Sequence, residues 1–280
     1  MRRRRWIERI FRWTCFSLSF IGIAVLATLV FFILKDGLPW LTPHFLTNFP
    51  SRRASQAGIY AAIWGSFWIM ILTALISVPI GIATAFYLEE YMPQGKFSDL
   101  VQVNIATLAG MPSIIYGLLG LAIFVRALGM GKSLLAGALT LSLLILPVIV
   151  ISAQGAIRAV PRTLRDAAYA LGARKWQVTL GQVLPAAAPG IMTGIILALS
   201  RAMGETAPLI LIGALSYVAF VPEGINDSFT VLPVQIFNWA GRPSEDFHGI
   251  AAAGIIVLMV FLLVLNLAAI VIREKAQRYK

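Results

Sequence analysis

The sequence has 280 residues, of which 59% are hydrophobic and only 12% are charged, and its mean hydropathy is +0.84. Because a typical soluble domain carries about 25% charged residues, this composition excludes a water-soluble globular protein and predicts a protein embedded in lipid. The formal net charge of +11 raises nucleic-acid binding as an alternative, but the basic residues lie at the ends of apolar runs, which is typical of membrane anchoring.

Six apolar runs are long enough to cross a bilayer, since a helix needs about 20 apolar residues to span the hydrocarbon layer of ~30 Å. They cover residues 14–34, 60–88, 102–125, 133–154, 189–217 and 249–272. The runs are continuous rather than alternating, which favours helices over the strands of a membrane barrel. The sequence therefore predicts an all-α membrane protein with six transmembrane helices.

The first run follows a basic N-terminus and has some features of a cleaved signal peptide. It is too long for the apolar part of such a signal, however, and Lys35 and Asp36 follow it without a small-residue cleavage site. We therefore predict an uncleaved first helix. Residues 1–58 then form the basic N-terminus, this helix and an outer loop, and residues 59–275 form one transmembrane domain.

The distribution of basic residues predicts the orientation of the chain. With the N-terminus in the cytoplasm, 16 of the 23 Lys and Arg residues fall in inner segments and six in outer segments, while Arg201 lies within a span. Because inner segments of membrane proteins are enriched in Lys and Arg, this bias predicts a multi-pass protein of the cell (inner) membrane with both termini in the cytoplasm.

Two adjacent carboxylates, Glu89 and Glu90, lie at the inner end of the second run. Neighbouring side chains on a helix point about 100° apart, so a catalytic pair is not indicated and we expect a solvated helix end. The two histidines, His44 and His248, lie outside the spans or at their edge and belong to no His/Cys cluster. We therefore predict no catalytic residue, no metal site and no cofactor.

The longest inner loop, residues 156–188, contains a short amphipathic pattern. Its apolar positions recur at i, i+3, i+4 and i+7, which predicts one face of a helix of about two turns. These positions are Leu164, Ala167, Ala168 and Leu171. Thr163 with Asp166 forms a capping-box pattern and Gly172 predicts the helix end. Two interpretations remain: a helix resting on lipid headgroups, or a helix docked in a groove of a soluble partner.

A resemblance favours the second interpretation. Asp166-Ala167-Ala168, Gly172 and Val183-Leu184-Pro185 resemble the EAA loop of ABC-importer permeases, whose pattern is Glu-Ala-Ala, Gly and Ile-x-Leu-Pro. This chain has Asp166 in place of the Glu and Gln182 in place of the Ile. The resemblance implies the MetI-like fold of type I importers, with a cytoplasmic coupling helix that fits a cleft of the ATPase subunit. It assigns this coupling role to Leu164, Asp166, Ala167, Ala168, Leu171 and Gly172.

An ion pair lies within the fifth apolar run, where a charge costs at least a few kcal/mol and usually marks a pathway or a functional pair. Arg201 and Glu205 are four residues apart, so they are predicted to share a helix face, and Pro208 is predicted to bend that helix. The guanidinium offers five donors in a planar fork that suits phosphate oxygens. Three roles remain open: contact with an anion, release of Arg201 from Glu205 during transport, or a structural ion pair.

Three further segments resemble the permease subunits of the phosphate ABC importer. They are residues 110–117, 201–208 and 232–239, within a resemblance that covers roughly residues 60–270. Residues 232–239, together with Ala207-Pro208 after Glu205-Thr206, are more similar to PstA-type subunits than to the companion PstC-type. The resemblance implies an ATP-driven, binding-protein-dependent phosphate importer with Arg201, Glu205 and Thr206 in the translocation path or its gate.

The same resemblance implies the partners of the chain. They are a second related permease subunit, two cytoplasmic ATPase subunits, a periplasmic or extracellular phosphate-binding protein and the lipid bilayer, with no nucleic acid. In this interpretation the chain is not an enzyme, since ATP hydrolysis resides on a partner. The alternatives are a permease for another oxyanion (phosphonate, sulfate or molybdate), the PstC-type companion, an intramembrane enzyme, or an ATP-independent carrier.

Overall fold

The computed structural model describes residues 2–214 and 217–278, and within these residues it contains helices and no strands. The helices are α1 (Arg2–Gly37), α2 (Pro43–Thr47), α3 (Tyr60–Phe86), α4 (Lys96–Ala109), α5 (Ser113–Gly120), α6 (Leu134–Arg158), α7 (Arg162–Ala170), α8 (Lys175–Val178), α9 (Leu184–Gly204), α10 (Ala207–Ile212), α11 (Leu232–Ala240) and α12 (Glu245–Arg278). Wider π-helical turns extend α3 and α5 and join α8 to α9. These turns are Tyr87–Tyr91, Leu121–Ala127 and Thr179–Val183.

Five of the six predicted spans are continuous helices long and apolar enough to cross a membrane. They run through Ile10–Trp40, Tyr60–Tyr91, Leu134–Arg158, Lys175–Gly204 and Glu245–Val271. Their presence in the described part of the chain confirms the predicted all-α membrane architecture.

The third predicted span is sharply bent. Helix α4 and the helix through Ser113–Ala127 meet at an angle of 99°. The break has a local cause, because Pro112 lacks a backbone N–H and disfavours helical geometry at Met111. The chain therefore has six spans only if this bent pair counts as one.

The fifth span differs from its prediction at both ends. It begins at Lys175 rather than near Pro189, and it ends at Gly204. Glu205 then adopts extended backbone, with φ −80° and ψ 115°. Pro208 lies in the first turn of α10, where a missing N–H costs nothing, so it does not bend α9. The predicted span also includes residues 215 and 216, which lie outside the described residues.

Helix α6 lies at the centre of the fold, with Ile145, Ile149 and Val150 fully buried. Helices α3 and α9 pack against it through glycines that allow close approach. A Cβ on Gly81 would lie 2.6 Å from Cγ2 of Ile149, and one on Gly194 would lie 2.5 Å from Cβ of Ser152. Small residues at helix contacts are typical of membrane bundles. In lipid the hydrophobic effect does not drive helices together, so their association depends on close packing of the backbones, which small residues allow.

Helix α1 stands apart from this bundle. It packs on α12, where Gly37 meets the backbone of Ala252 and Ala253. The rest of its apolar surface is exposed in the single chain, and none of its most apolar stretch is buried. This matches a helix that faces lipid or another subunit.

Candidate functional site

The structure brings Arg201 and Glu205 together, as predicted. The Nε atom of Arg201 lies 3.5 Å from Oε1 of Glu205. The two residues do not share a helix face, however, because Glu205 has already left α9 in extended backbone. A separation of 3.5 Å is long for a hydrogen bond, so the pair is loosely joined.

The guanidinium of Arg201 keeps most of its donors available. Its side chain is 46% exposed, against 18% for Glu205. Within the described part of the chain, Nη1 and Nη2 of Arg201 make no hydrogen bond. A guanidinium has five N–H donors, so its outer edge is free to bind a carboxylate or phosphate group in a bidentate manner.

Thr206 adjoins this pair at the start of α10. Its backbone carbonyl accepts a hydrogen bond of 3.1 Å from the N–H of Ile210. Among the described residues its hydroxyl forms no hydrogen bond with Arg201 or Glu205, although the residue follows Glu205 directly at the break. The structure thus places all three predicted path residues at the junction of α9 and α10.

Packing on two sides holds this junction in place. On one side, Ser200 Oγ lies 2.6 Å from Oδ1 of Asn266 in α12. On the other side, α10 packs on α5, where a Cβ on Gly117 would lie 2.7 Å from Cα of Pro208. Ala202 and Met203 are buried beside Arg201. The backbone around Arg201 is therefore fixed while its side chain projects outward.

An uncovered face of α9 carries Arg201. Five of its six exposed residues recur at i, i+3, i+7, i+11 and i+14, which places them on one side of the helix. We call this the exposed α9 face, and it consists of Gly190, Thr193, Leu197, Arg201 and Gly204. Near its N-terminal part, Arg273 of α12 donates a hydrogen bond of 3.0 Å from Nη1 to Oγ1 of Thr193.

The predicted helix in the inner loop exists as α7, but its predicted cap is wrong. The N-cap is Pro161 and makes no side-chain hydrogen bond, while Thr163 already lies in the first turn. The predicted end at Gly172 is confirmed. Gly172 has a φ of +81°, and the N–H of Ala173 donates to the carbonyl of Ala168 at 3.1 Å, as in a Schellman ending.

Only part of the predicted apolar face of α7 is buried in the protein, and the rest is exposed. Ala168 is buried against the bundle, whereas Leu164, Ala167 and Leu171 are exposed. Leu171 is 89% exposed, more than any other exposed large hydrophobic residue in the described part of the chain. Asp166 is also exposed. We call Leu164, Ala167 and Leu171 the α7 apolar surface.

The prediction of a solvated end at Glu89 and Glu90 is wrong. Glu90 pairs with Arg165 of α7 at 2.8 Å, and Glu89 pairs with Arg158 of α6 at 2.7 Å. Both carboxylates are largely buried. Local sequence cannot show these pairs because the partners are 69 and 75 residues away. The available signal was two adjacent acids on the side predicted to be cytoplasmic, which is otherwise rich in arginine.

A family model described as "Binding-protein-dependent transport system inner membrane component" matches residues 77–277. The chain is 35% identical to the phosphate transport system permease protein PstA of Haemophilus influenzae, over 88% of this chain and 86% of the relative. It is 32% identical to PstA 1 of Mycobacterium tuberculosis, over 97% and 89%. It is 34% identical to the probable ABC transporter permease protein YqgI of Bacillus subtilis, over 88% of both.

Solved structures share the fold. A chain of a bacterial alginate ABC transporter, solved with a periplasmic protein bound to alginate pentasaccharide, superposes with a TM-score of 0.67 at 17% identity, covering 94% of this chain and 95% of that one. A chain of the inward-facing MetNI methionine ABC transporter gives 0.64 at 18% identity, covering 78% and 97%. At these identities the similarity shows the fold alone.

Proposed function

This chain belongs to the family of binding-protein-dependent transport system inner membrane components, and from that premise we propose that it is the PstA-type membrane subunit of an ATP-driven phosphate importer. The substrate class follows from the relatives named PstA, which match 86–89% of their own length. The observation in the structure that carries the proposal is the guanidinium of Arg201, held at a helix junction with its donors free on an uncovered face.

We propose that Arg201 contacts the phosphate directly during transport. A structural ion pair is disfavoured, because the contact to Glu205 is a single long one and both residues belong to the same helix junction. Glu205 instead competes weakly with the anion for the guanidinium, which lets the phosphate leave. Thr206 adds a hydroxyl at the same point. Such a path needs binding sites that are weak enough to release their ion.

The exposed faces suit the remaining partners. The exposed α9 face, with Arg201 on it, is the side we assign to the second permease and the path between the two subunits. The α7 apolar surface, with Asp166 and Gly172 beside it, is the part we assign to the cleft of an ATPase subunit. This assignment places α7 and both termini in the cytoplasm and the binding protein on the opposite side of the membrane.

Transport then follows from a shift between two packed states. ATP binding to the partner subunits favours one arrangement of the permease pair and hydrolysis favours the other, since a ligand shifts an equilibrium by its different affinity for the two states. The chain itself breaks no covalent bond. It supplies the guanidinium that binds the phosphate and the surface that contacts the ATPase subunits.

Replacement of Arg201 by glutamine tests this proposal. Arg201→Gln removes the charge and the planar fork but keeps a polar side chain at a half-exposed position, so the subunit is expected to insert and assemble normally. We expect uptake of labelled phosphate to be abolished in cells that lack other phosphate importers. The matched control is Arg12→Gln on α1, outside the family-matched region. Normal uptake by Arg201→Gln at normal membrane levels contradicts the proposal.

A further inference from the structure

One guanidinium joins three elements at the inner end of the fold. Arg165 of α7 donates to Oε1 of Glu90 from Nε and Nη2, at 3.1 and 2.8 Å. It also donates from Nη1 to the carbonyl of Val160 at 2.7 Å and from Nη2 to the carbonyl of Ile157 at 3.0 Å. The ion pair thus links α7 to the inner extension of α3 and to the C-terminal end of α6.

This contact is well protected from water. The Arg165 side chain is 17% exposed and the Glu90 side chain 10% exposed. Charged pairs with little exposure are screened less by salt than surface pairs. The four hydrogen bonds of Arg165 use most of the donors of its guanidinium. The Ile157 carbonyl lies in the last turn of α6 and also accepts a hydrogen bond of 3.2 Å from the N–H of Val160, whereas the Val160 carbonyl lies in the linker that follows α6. Arg165 therefore adds hydrogen bonds both to the end of α6 and to this linker.

The covalent connection between α6 and α7 is short but offers a hinge. Only residues 159–161 separate the two helices. Without a side-chain contact across the linker, backbone rotation in residues 159–161 would allow α7 to move without moving α6. The contacts of Arg165 bridge the linker and attach α7 to a second span, so that α3, α6 and α7 move together.

We propose that Glu90 and Arg165 are positioning residues that transmit the displacement of α7 to the spans α3 and α6. This inference rests on the proposed function, in which α7 docks on the ATPase. The two residues do not touch the anion or ATP. They act by keeping α7 rigidly attached to α3 and α6, the helices on which α9 and its exposed face pack.

A neighbouring ion pair offers a matched control. Glu89 pairs with Arg158 and accepts a hydrogen bond of 2.9 Å from Nε2 of Gln154. These contacts join α3 to α6 only and do not involve α7. Arg158 is 56% exposed, so it remains solvated when its partner is lost. Glu89→Gln therefore removes the same charge one position away without releasing α7.

The experiment uses the complete complex of both permeases, the ATPase subunits and the binding protein in proteoliposomes. It measures the phosphate taken up per ATP hydrolysed. Glu90→Gln keeps the shape of the side chain but weakens the pair, and we expect this ratio to fall about tenfold, within the usual range of coupling between sites, while ATP hydrolysis continues. Arg165→Lys keeps the positive charge but loses the planar guanidinium, and we expect its uptake per ATP to lie between those of the native complex and Glu90→Gln. Glu89→Gln is expected to keep the native ratio.

Two results overturn the inference. One is a native ratio in Glu90→Gln, and the other is an equal loss of hydrolysis and uptake, which indicates a purely structural role. If Glu90→Gln fails to assemble, the ratio in Arg165→Lys decides in the same way. Failure of the unaltered complex to take up phosphate contradicts the proposed function instead, so the two failures are distinguishable.

Discussion

Arg201 lies in the last turn of α9, where the open carbonyls of the helix end carry partial negative charge and favour a cation. This position helps to explain how a guanidinium is tolerated here when its one acidic partner, Glu205, makes only a long contact. The helix end stabilises the charge through space, while the Nη atoms remain free to bind an incoming anion. The break after Gly204 is thus part of the site, because a continued helix would satisfy these carbonyls.

The weak contact to Glu205 leads to a prediction at the same scale. A partly exposed ion pair contributes at most about 1 kcal/mol, which corresponds to a factor of about five in a rate. If Glu205 helps to release the phosphate from Arg201, Glu205→Gln should lower the maximal uptake rate by up to about that factor, because the anion then has no competitor. Uptake kinetics in proteoliposomes measure this, with Glu205→Asp as the control that keeps the charge. A maximal rate that rises in Glu205→Gln contradicts the role of competitor.

The residues of the site differ in how far sequence alone reveals them. Arg201 and Glu205 are four positions apart, so their proximity follows from the local chain, even though the helix they were expected to share ends between them. The pair of Glu90 and Arg165 depends on the packing of α3 against α6 and α7. No local pattern predicts it, and the default of a solvated helix end was wrong for that reason.

At the scale of elements, hydropathy predicts where apolar helices lie but carries no information on their direction. The apolar run 102–125 reads as one span, yet the chain turns by 99° within it. Pro112 and Pro208 signal breaks near the right places. Pro208 nevertheless follows its break rather than causing it, because it lies in the first turn of α10, where proline is favoured. The angle of each break is decided by tertiary packing.

The close packing of α9 on α6 gives a prediction for an element. A methyl group on Gly194 would overlap Ser152, with Cβ atoms 2.5 Å apart, so the helices must separate. Overpacking of this kind costs about 1–3 kcal/mol, and we expect Gly194→Ala to lower the thermal unfolding midpoint of the purified subunit in detergent. Gly155→Ala on α6 is the control, because a Cβ there meets no atom within 4 Å. Equal midpoints for the two variants contradict the packing described.

At the scale of the whole molecule, the single chain leaves large apolar surfaces and the proposed functional residues uncovered, which is expected of a subunit rather than of a protein that acts alone. The exposed α9 face, the α7 apolar surface and nearly all of α1 lack a cover in the single chain. In the proposed assembly these surfaces face the second permease, the ATPase and lipid, respectively. The membrane class was predictable from composition and long apolar runs, whereas the importer-permease fold was implied by the resemblance of the EAA loop and of residues 110–117, 201–208 and 232–239 to the family. Solved structures confirm that fold.

The most direct test of the central claim is ATP-driven uptake of labelled phosphate by the reconstituted importer containing this chain. The account predicts accumulation that requires ATP and the binding protein, that excess unlabelled phosphate suppresses, and that sulfate, molybdate and phosphonate leave unchanged. Uptake that continues without ATP, or transport of another oxyanion in place of phosphate, contradicts it.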